Sequence, residues 1–203
     1  ETLLAMGQPG ERGNWYHFYI NGQYWGLFNS CERPEASFAA SYFGGEPEDY
    51  DVLKPDYDLN ATMRPVDGDD QAWIRLWDAA VEGFRNNADY FRVQGRNPDG
   101  TLNPAFENLL DVSNLVDYLL VIAWTGNTDG PAYGRIFDWD LGEGFINNYY
   151  AFRSRRNTGG FRFVTHDAEW VLQDVQESRI VLSGSKTTIS ASEPGAIVPL
   201  RGK

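Results

Sequence analysis

The sequence contains few of the residue types that disulfides and soft metal sites require. Cys31 is the only cysteine among 203 residues, and there are two histidines. A single cysteine excludes an intrachain disulfide and a metal site built from several thiolates. We therefore expect Cys31 to be a small buried apolar residue.

Long apolar runs and large basic clusters are also missing. The most apolar stretch, residues 115–124, contains Asp117 and is far shorter than the ~20 residues that a membrane span needs. The net charge is -12, and the one basic group is Arg153, Arg155 and Arg156. We therefore expect no membrane span and no nucleic-acid surface. A polyanionic substrate would need a divalent metal or local arginines.

Two segments are typical of β-hairpins. The first, residues 15–28, is rich in aromatic residues and is divided by Asn21-Gly22, the dipeptide that favours a type I′ turn. Bulky residues occupy both of its faces, so we expect it to be covered on both sides. The second hairpin spans residues 147–167 and turns between Asn157 and Gly160.

The spacing of apolar residues predicts helices between the hairpins. A short helix is expected with Pro34 in its first turn, and an amphipathic helix starts at Asp69 or Asp70. A mostly apolar and therefore central helix is expected from Pro104 to Trp124. Between the first two helices, residues 50–54 fit one short strand. This mixture predicts an α+β fold in which two aromatic-rich hairpins pack on central helices.

The end of the second hairpin has two acidic residues in a short space. In an extended strand, Asp167 and Glu169 point to the same side. Like charges so close together repel unless a cation or a shared proton lies between them. The alternative is an ordinary solvent-facing edge.

Two further polar groups stand at the ends of regular elements. Asp129 follows the central helix, and Asn148 begins the second hairpin. Either can be an ordinary turn residue. Together with Asp167, however, they match the requirements of phosphoryl transfer: one aspartate orients the attacking hydroxyl, and an asparagine and a second aspartate hold Mg²⁺ or Mn²⁺ on the nucleotide.

Six segments in order resemble the spore-coat protein H (CotH) kinase family, and they cover roughly residues 15–172. They are HFYINGQYWGLFNSCERPE, YFGG, YDVLK, GNTDG, NNYYAFRSR and GGFRFVTHDAEW. The resemblance implies an atypical protein-kinase-like fold that uses ATP and Mg²⁺ or Mn²⁺ to phosphorylate serine or threonine of a protein substrate. It also implies an exported or cell-surface bacterial protein, such as a spore coat component.

The resemblance implies roles for individual residues. Asp129 matches the catalytic aspartate and Asp167 the metal-binding aspartate, with Asn148 as second metal ligand and Glu169 where many members have another aspartate. Asn127 would shape the loop. Independently of the family, Arg153 and Arg155 share one face of a strand and can steady phosphate charge.

The sequence also departs from the family pattern. There are three lysines, and only Lys54 lies in the matching region, whereas a kinase usually places a lysine on the phosphates. The family has further strands ahead of the first hairpin. We therefore expect residues 1–177 to be a kinase-like domain without its first strands, cut from a longer polypeptide, and residues 178–203 to be a C-terminal tail or the start of a following segment.

Two other functions are compatible with the sequence. A carboxylate-dependent glycan hydrolase would use Asp129 with Asp167 or Glu169 as an acid and base pair, and would ignore ATP. A non-catalytic surface adhesin, coat or scaffold module would keep the kinase-like fold without needing Asp167, and the shortage of lysine favours it.

Overall fold

The computed structural model describes residues 1–56, 62–127, 148–156 and 159–172 of the chain. Its helices and strands alternate irregularly along the sequence, which confirms the α+β class. In chain order they are α1 (Thr2–Ala5), β1 (Gly13–Ile20), β2 (Gln23–Cys31), α2 (Ala36–Phe43), β3 (Tyr50–Asp56), β4 (Thr62–Asp67), α3 (Gln71–Glu82), α4 (Asn87–Arg92), α5 (Val112–Thr125), β5 (Tyr149–Ser154) and β6 (Arg162–Thr165).

A four-stranded antiparallel sheet with the order β4-β3-β5-β6 forms the centre of the protein. Both of its faces are covered, because side chains alternate along each strand and both sets are apolar. One face packs on α3 and α5, and its core includes Leu53, Ala151 and Phe163. The other face packs on α2, and its core includes Val52 and Tyr150.

Helix α5 is attached to the sheet by a buried amide. Asn114 has no exposed surface; its Nδ2 donates to the carbonyl oxygen of Phe163 at 3.3 Å, and its Oδ1 accepts from the Phe163 nitrogen at 2.6 Å. Since β6 is an edge strand, the amide takes the place of a neighbouring strand at this point. Gln8, which follows α1, accepts a further bond from Asn114 at 3.1 Å.

The structure changes several of the predicted boundaries. The central helix begins at Val112, because Pro104 is followed by turns and isolated bridges rather than by a helix. Strand β3 extends to Asp56, and its antiparallel partner β4 was not predicted. Helix α3 begins after Asp70, as predicted. The predicted boundary at residue 177 lies outside the described residues.

The first hairpin forms but stays uncovered, so the expectation that both faces are buried is wrong. Asn21 and Gly22 have φ of 50° and 81°, as a type I′ turn requires. The β1–β2 pair is a separate two-stranded sheet. Its large side chains are 40–66% exposed: Trp15, Tyr16, Phe18, Tyr19, Ile20, Tyr24, Trp25, Leu27 and Phe28. Cys31, expected to be buried, is exposed at the end of β2.

Arg153, near the C-terminal end of β5, and Arg155, just beyond it, are members of ion pairs. Arg153 is 5% exposed and contacts Glu107, which also receives two hydrogen bonds from Arg75. Arg155 bridges the buried Asp51 and the exposed Asp69. Buried charges are stable only when they are paired in this way.

Among the described residues, no helix combines the length and the apolar character that crossing a membrane demands, and the 14-residue α5 is the longest of them.

Replacement of Asn114 by leucine should lower the free energy of unfolding by about 2–4 kcal/mol, because it leaves two buried backbone groups of Phe163 unsatisfied. Urea denaturation measures this loss. Asn87→Leu, on the exposed surface of α4, is the matched control and should change stability by less than ~0.5 kcal/mol. Equal effects of the two substitutions would contradict the role assigned to Asn114.

The ion pairs of Glu107 with Arg75 and Arg153 should make the free energy of unfolding depend on pH. Hydrogen bonds from Arg75, and then the charge of Arg153, lower the pKa of Glu107 below its ordinary value of 4.5. Its stabilisation is therefore complete above that value and is lost as the pH falls through the lower folded-state pKa. Between pH 6 and 3, Glu107→Gln should lose less unfolding free energy than the wild type. Glu48→Gln, at an exposed position, should follow the wild-type curve.

Candidate functional site

The open end of the β5–β6 hairpin brings two of the predicted site residues together. Tyr149, the first residue of β5, pairs with Thr165, the last residue of β6. One step beyond this pair, the His166 nitrogen donates to the Asn148 carbonyl oxygen at 2.9 Å. Asn148 and Asp167 therefore lie next to each other although 19 residues separate them.

Asn148 and Asp167 are also linked directly. The Asn148 Nδ2 donates to the Asp167 carbonyl oxygen at 3.2 Å. Both residues have left-handed backbones, with φ of 52° and 48°. Asparagine and aspartate tolerate this region better than other residues with a side chain, so the sequence at these positions suits the geometry.

The prediction that Asp167 and Glu169 share one face of a strand is wrong. Strand β6 ends at Thr165, and Asp167 lies in a bend with positive φ, so alternation along a strand does not apply. Both side chains are exposed. The carboxylate of Asp167 is therefore available at the surface, beside the Asn148 amide.

Arg153 is at the opposite end of β5. Five residues separate it from Asn148, which is roughly 16 Å along a strand. Its Nε donates to the Asn108 carbonyl oxygen at 2.8 Å, and its Nη2 donates to Glu107 at 2.9 Å. Burial lowers the pKa of Arg153. The structure thus places Arg153 in a structural ion pair and away from Asn148 and Asp167.

Asp129 lies outside the described residues, but the helix that precedes it is well defined. Helix α5 ends at Thr125, and Gly126 with φ of 60° stops it. Asn127 is 1% exposed, and its nitrogen donates to the Ile122 carbonyl oxygen at 3.1 Å. The Leu172 nitrogen donates to the Thr125 carbonyl oxygen at 2.7 Å. The chain that follows Asp167 therefore returns to the C-terminal end of α5.

Of three further cations, Lys54, Arg64 and Arg33, the sequence indicated Lys54 alone, as the one lysine in the region that resembles the family. Lys54 follows Leu53, the last β3 residue that pairs with β5, and so lies one step nearer to the Asn148 end of the sheet. It has the opposite facing to Leu53 and shares a face with Tyr150. Arg64 is directly opposite Lys54 on β4. Arg33 lies close enough to the Tyr150 hydroxyl for its charge to lower the pKa of that phenol.

Tyr150 has a buried ring, and burial raises the pKa of its phenol while Arg33 opposes that shift. Glu11 is another residue that the sequence did not indicate. It contacts His166, next to Asp167, with an Oε1–Nδ1 distance of 2.6 Å.

Oxygen donors dominate the open end of the hairpin, and they suit a hard cation. Asp167 offers a carboxylate, and Asn148 offers an amide whose nitrogen end is directed to the Asp167 backbone. Within the described ranges, no group of three or more histidine, cysteine, aspartate or glutamate side chains is placed to hold a metal. Of the predicted metal ligands, Asn148 and Asp167 are thus adjacent, and Glu169 is exposed two residues further along the chain. The predicted catalytic residue, Asp129, is not among the described residues.

Because Asn148 has a left-handed backbone, its contribution to folding can be tested apart from any role as a metal ligand. Asn148→Ala should lower the free energy of unfolding by about 1–2 kcal/mol, since alanine is disfavoured at this φ and the bond to Asp167 is lost. Asn148→Gly accepts the backbone angle and should cost less than alanine. Thermal or urea unfolding of the two variants measures the difference, and a larger loss for glycine would contradict it.

Comparison with known proteins gives one match. The family model described as CotH kinase protein matches residues 3–198, nearly the whole chain. No curated protein and no solved structure matches the chain. Because the matched region far exceeds half of the sequence, the chain belongs to the CotH kinase protein family.

Proposed function

We propose that this chain carries an ATP-dependent kinase site that uses Mg²⁺ or Mn²⁺ to phosphorylate serine or threonine of a protein. Membership of the CotH kinase protein family supports kinase-like function in general. The observation that carries the finer proposal is the adjacency of Asn148 and Asp167 at one end of the β5–β6 hairpin. Asparagine and aspartate are the pair that holds the divalent metal in protein kinases.

The proposal gives each polar residue at this end of the sheet a task. Asp167 and Asn148 would bind the metal, and the exposed Glu169 is near enough in sequence to add a carboxylate. A bound Mg²⁺ or Mn²⁺ neutralises charge on the nucleotide phosphates. Asp129 would accept the proton of the attacking hydroxyl, as its position beyond α5 suggests.

Lys54 and Arg64 are the residues we assign to the phosphates in place of Arg153. They lie opposite each other on β3 and β4, so their side chains are neighbours on one face of the sheet. Both lie on the sheet face that carries Tyr150, towards the end of the sheet where Asn148 lies. Arg153, in contrast, is buried against Glu107 at the other end of β5.

Calorimetric titration of ATP in the presence of Mg²⁺ or Mn²⁺ tests the proposal. The wild type should bind ATP with metal and bind it much more weakly without metal. Asp167→Asn should weaken metal-dependent binding by roughly 10-fold or more, because a ligand of the cation is lost. Asparagine tolerates the left-handed backbone at this position, so the variant should fold.

Asp78→Asn is the matched control for this titration. Asp78 is exposed on α3, away from the hairpin end, so its replacement removes one carboxylate without touching the site. It should leave ATP affinity unchanged. Metal-independent ATP binding, or equal weakening by both substitutions, would overturn the assignment of Asp167 to the metal.

A non-catalytic binding module is the second candidate, and the exposed β1–β2 hairpin favours it. Residues 13–31 contain no Asp, Glu, Lys or Arg, and nine large apolar side chains of this hairpin are at least 40% exposed. Exposed apolar patches of this kind mark interaction surfaces. Folded wild-type protein that binds no ATP under any metal condition would favour this function over the kinase.

A further inference from the structure

Glu11 makes a long-range contact next to the proposed metal ligands. Its Oε1 lies 2.6 Å from the Nδ1 of His166, and the two residues are 155 positions apart in the chain. The side chains are 14% and 25% exposed, so the contact is largely shielded from water. Hydrogen bonds to a carboxylate are stronger than those between neutral groups, and shielding increases their strength.

A second contact fixes the orientation of the His166 ring. The ring meets that of Tyr150 edge to face, with centroids 5.1 Å apart and an interplanar angle of 84°. Tyr150 is itself buried in the sheet core. The imidazole is therefore held on one side by a carboxylate and on the other by a rigid aromatic ring.

The backbone of His166 is connected to both proposed metal ligands, so the position of His166 affects theirs. Its nitrogen donates to the Asn148 carbonyl oxygen, and the next residue is Asp167. The Asp167 carbonyl oxygen then accepts from the Asn148 side chain. A shift of His166 would therefore move Asp167 relative to Asn148. The two hydrogen bonds join these chains beyond Tyr149 and Thr165, the last pair of the β5–β6 ladder.

We infer that Glu11 is a positioning residue, which acts through His166 to hold Asn148 and Asp167 at the separation needed for a divalent cation. The inference rests on the proposed function, since it concerns the same metal ligands. Residues that orient ligands from outside typically change metal affinity 10–100-fold when they are replaced.

The test compares Glu11→Gln with the wild type in two measurements. Binding of Mn²⁺ alone, followed by electron paramagnetic resonance of the free ion, should be about 10-fold weaker in the variant. Hydrogen exchange of the His166 amide, measured without metal, should be faster in the variant because its bond to Asn148 opens more often. Exchange of the Phe163 amide, held by Asn114, should not change.

Glu32→Gln is the matched control. Glu32 also accepts hydrogen bonds, from the Arg12 nitrogen and the Tyr42 hydroxyl, but it does not contact His166. It should alter neither measurement. Unchanged Mn²⁺ affinity in Glu11→Gln, or equal weakening in both variants, would overturn the positioning role.

The two measurements also separate this inference from the proposed function. Wild-type protein that binds no Mn²⁺ would overturn the metal site, and with it the effect of Glu11 on metal. Faster exchange of the His166 amide in Glu11→Gln would still show that Glu11 fixes the position of His166. Unchanged exchange would overturn that role as well.

Discussion

The buried amide of Asn114 is the contact on which the arrangement of the site depends. A strand at the edge of a sheet has backbone groups that need partners, and Asn114 supplies both for Phe163. This fixes α5 against β6 within the buried core. Helix α5 and strand β6 both end near the proposed site. The Asn114 side chain therefore fixes how the C-terminal ends of these two elements lie relative to each other.

At the open end of the β5–β6 hairpin, the chain leaves the buried core and forms a small exposed site. The β5–β6 pairing stops between Tyr149 and Thr165, and the two chains then turn in left-handed conformations at Asn148 and Asp167. Regular strands would direct these side chains to opposite faces or into the core. The change of backbone direction instead exposes a carboxylate beside an amide. A strained or unusual backbone angle is often tolerated at a functional site, where its cost is met by the surrounding structure.

Local patterns in the sequence predicted the elements whose cause is local. The Asn21-Gly22 turn and helix α3 were found because turn chemistry and apolar period act over a few residues. Asn148 and Asp167 were also singled out, by residue type and by family resemblance. The contacts of Glu11 and of Arg153 were not predicted, since each joins residues far apart in the chain. The facing of Asp167 was wrong because β6 ends two residues earlier than the apolar pattern suggested.

Charge places a strong condition on any nucleotide site in this protein. With a net charge of -12, most of the surface repels a triphosphate, so local cations must offset that field. Arg153 and Arg155 do not meet the need, because carboxylates already neutralise them at the far end of the sheet. Lys54 and Arg64 stand on the face that leads to Asn148. If the chain binds ATP as proposed, a metal at Asp167 would carry the remaining charge, so that ATP binding would depend on the metal.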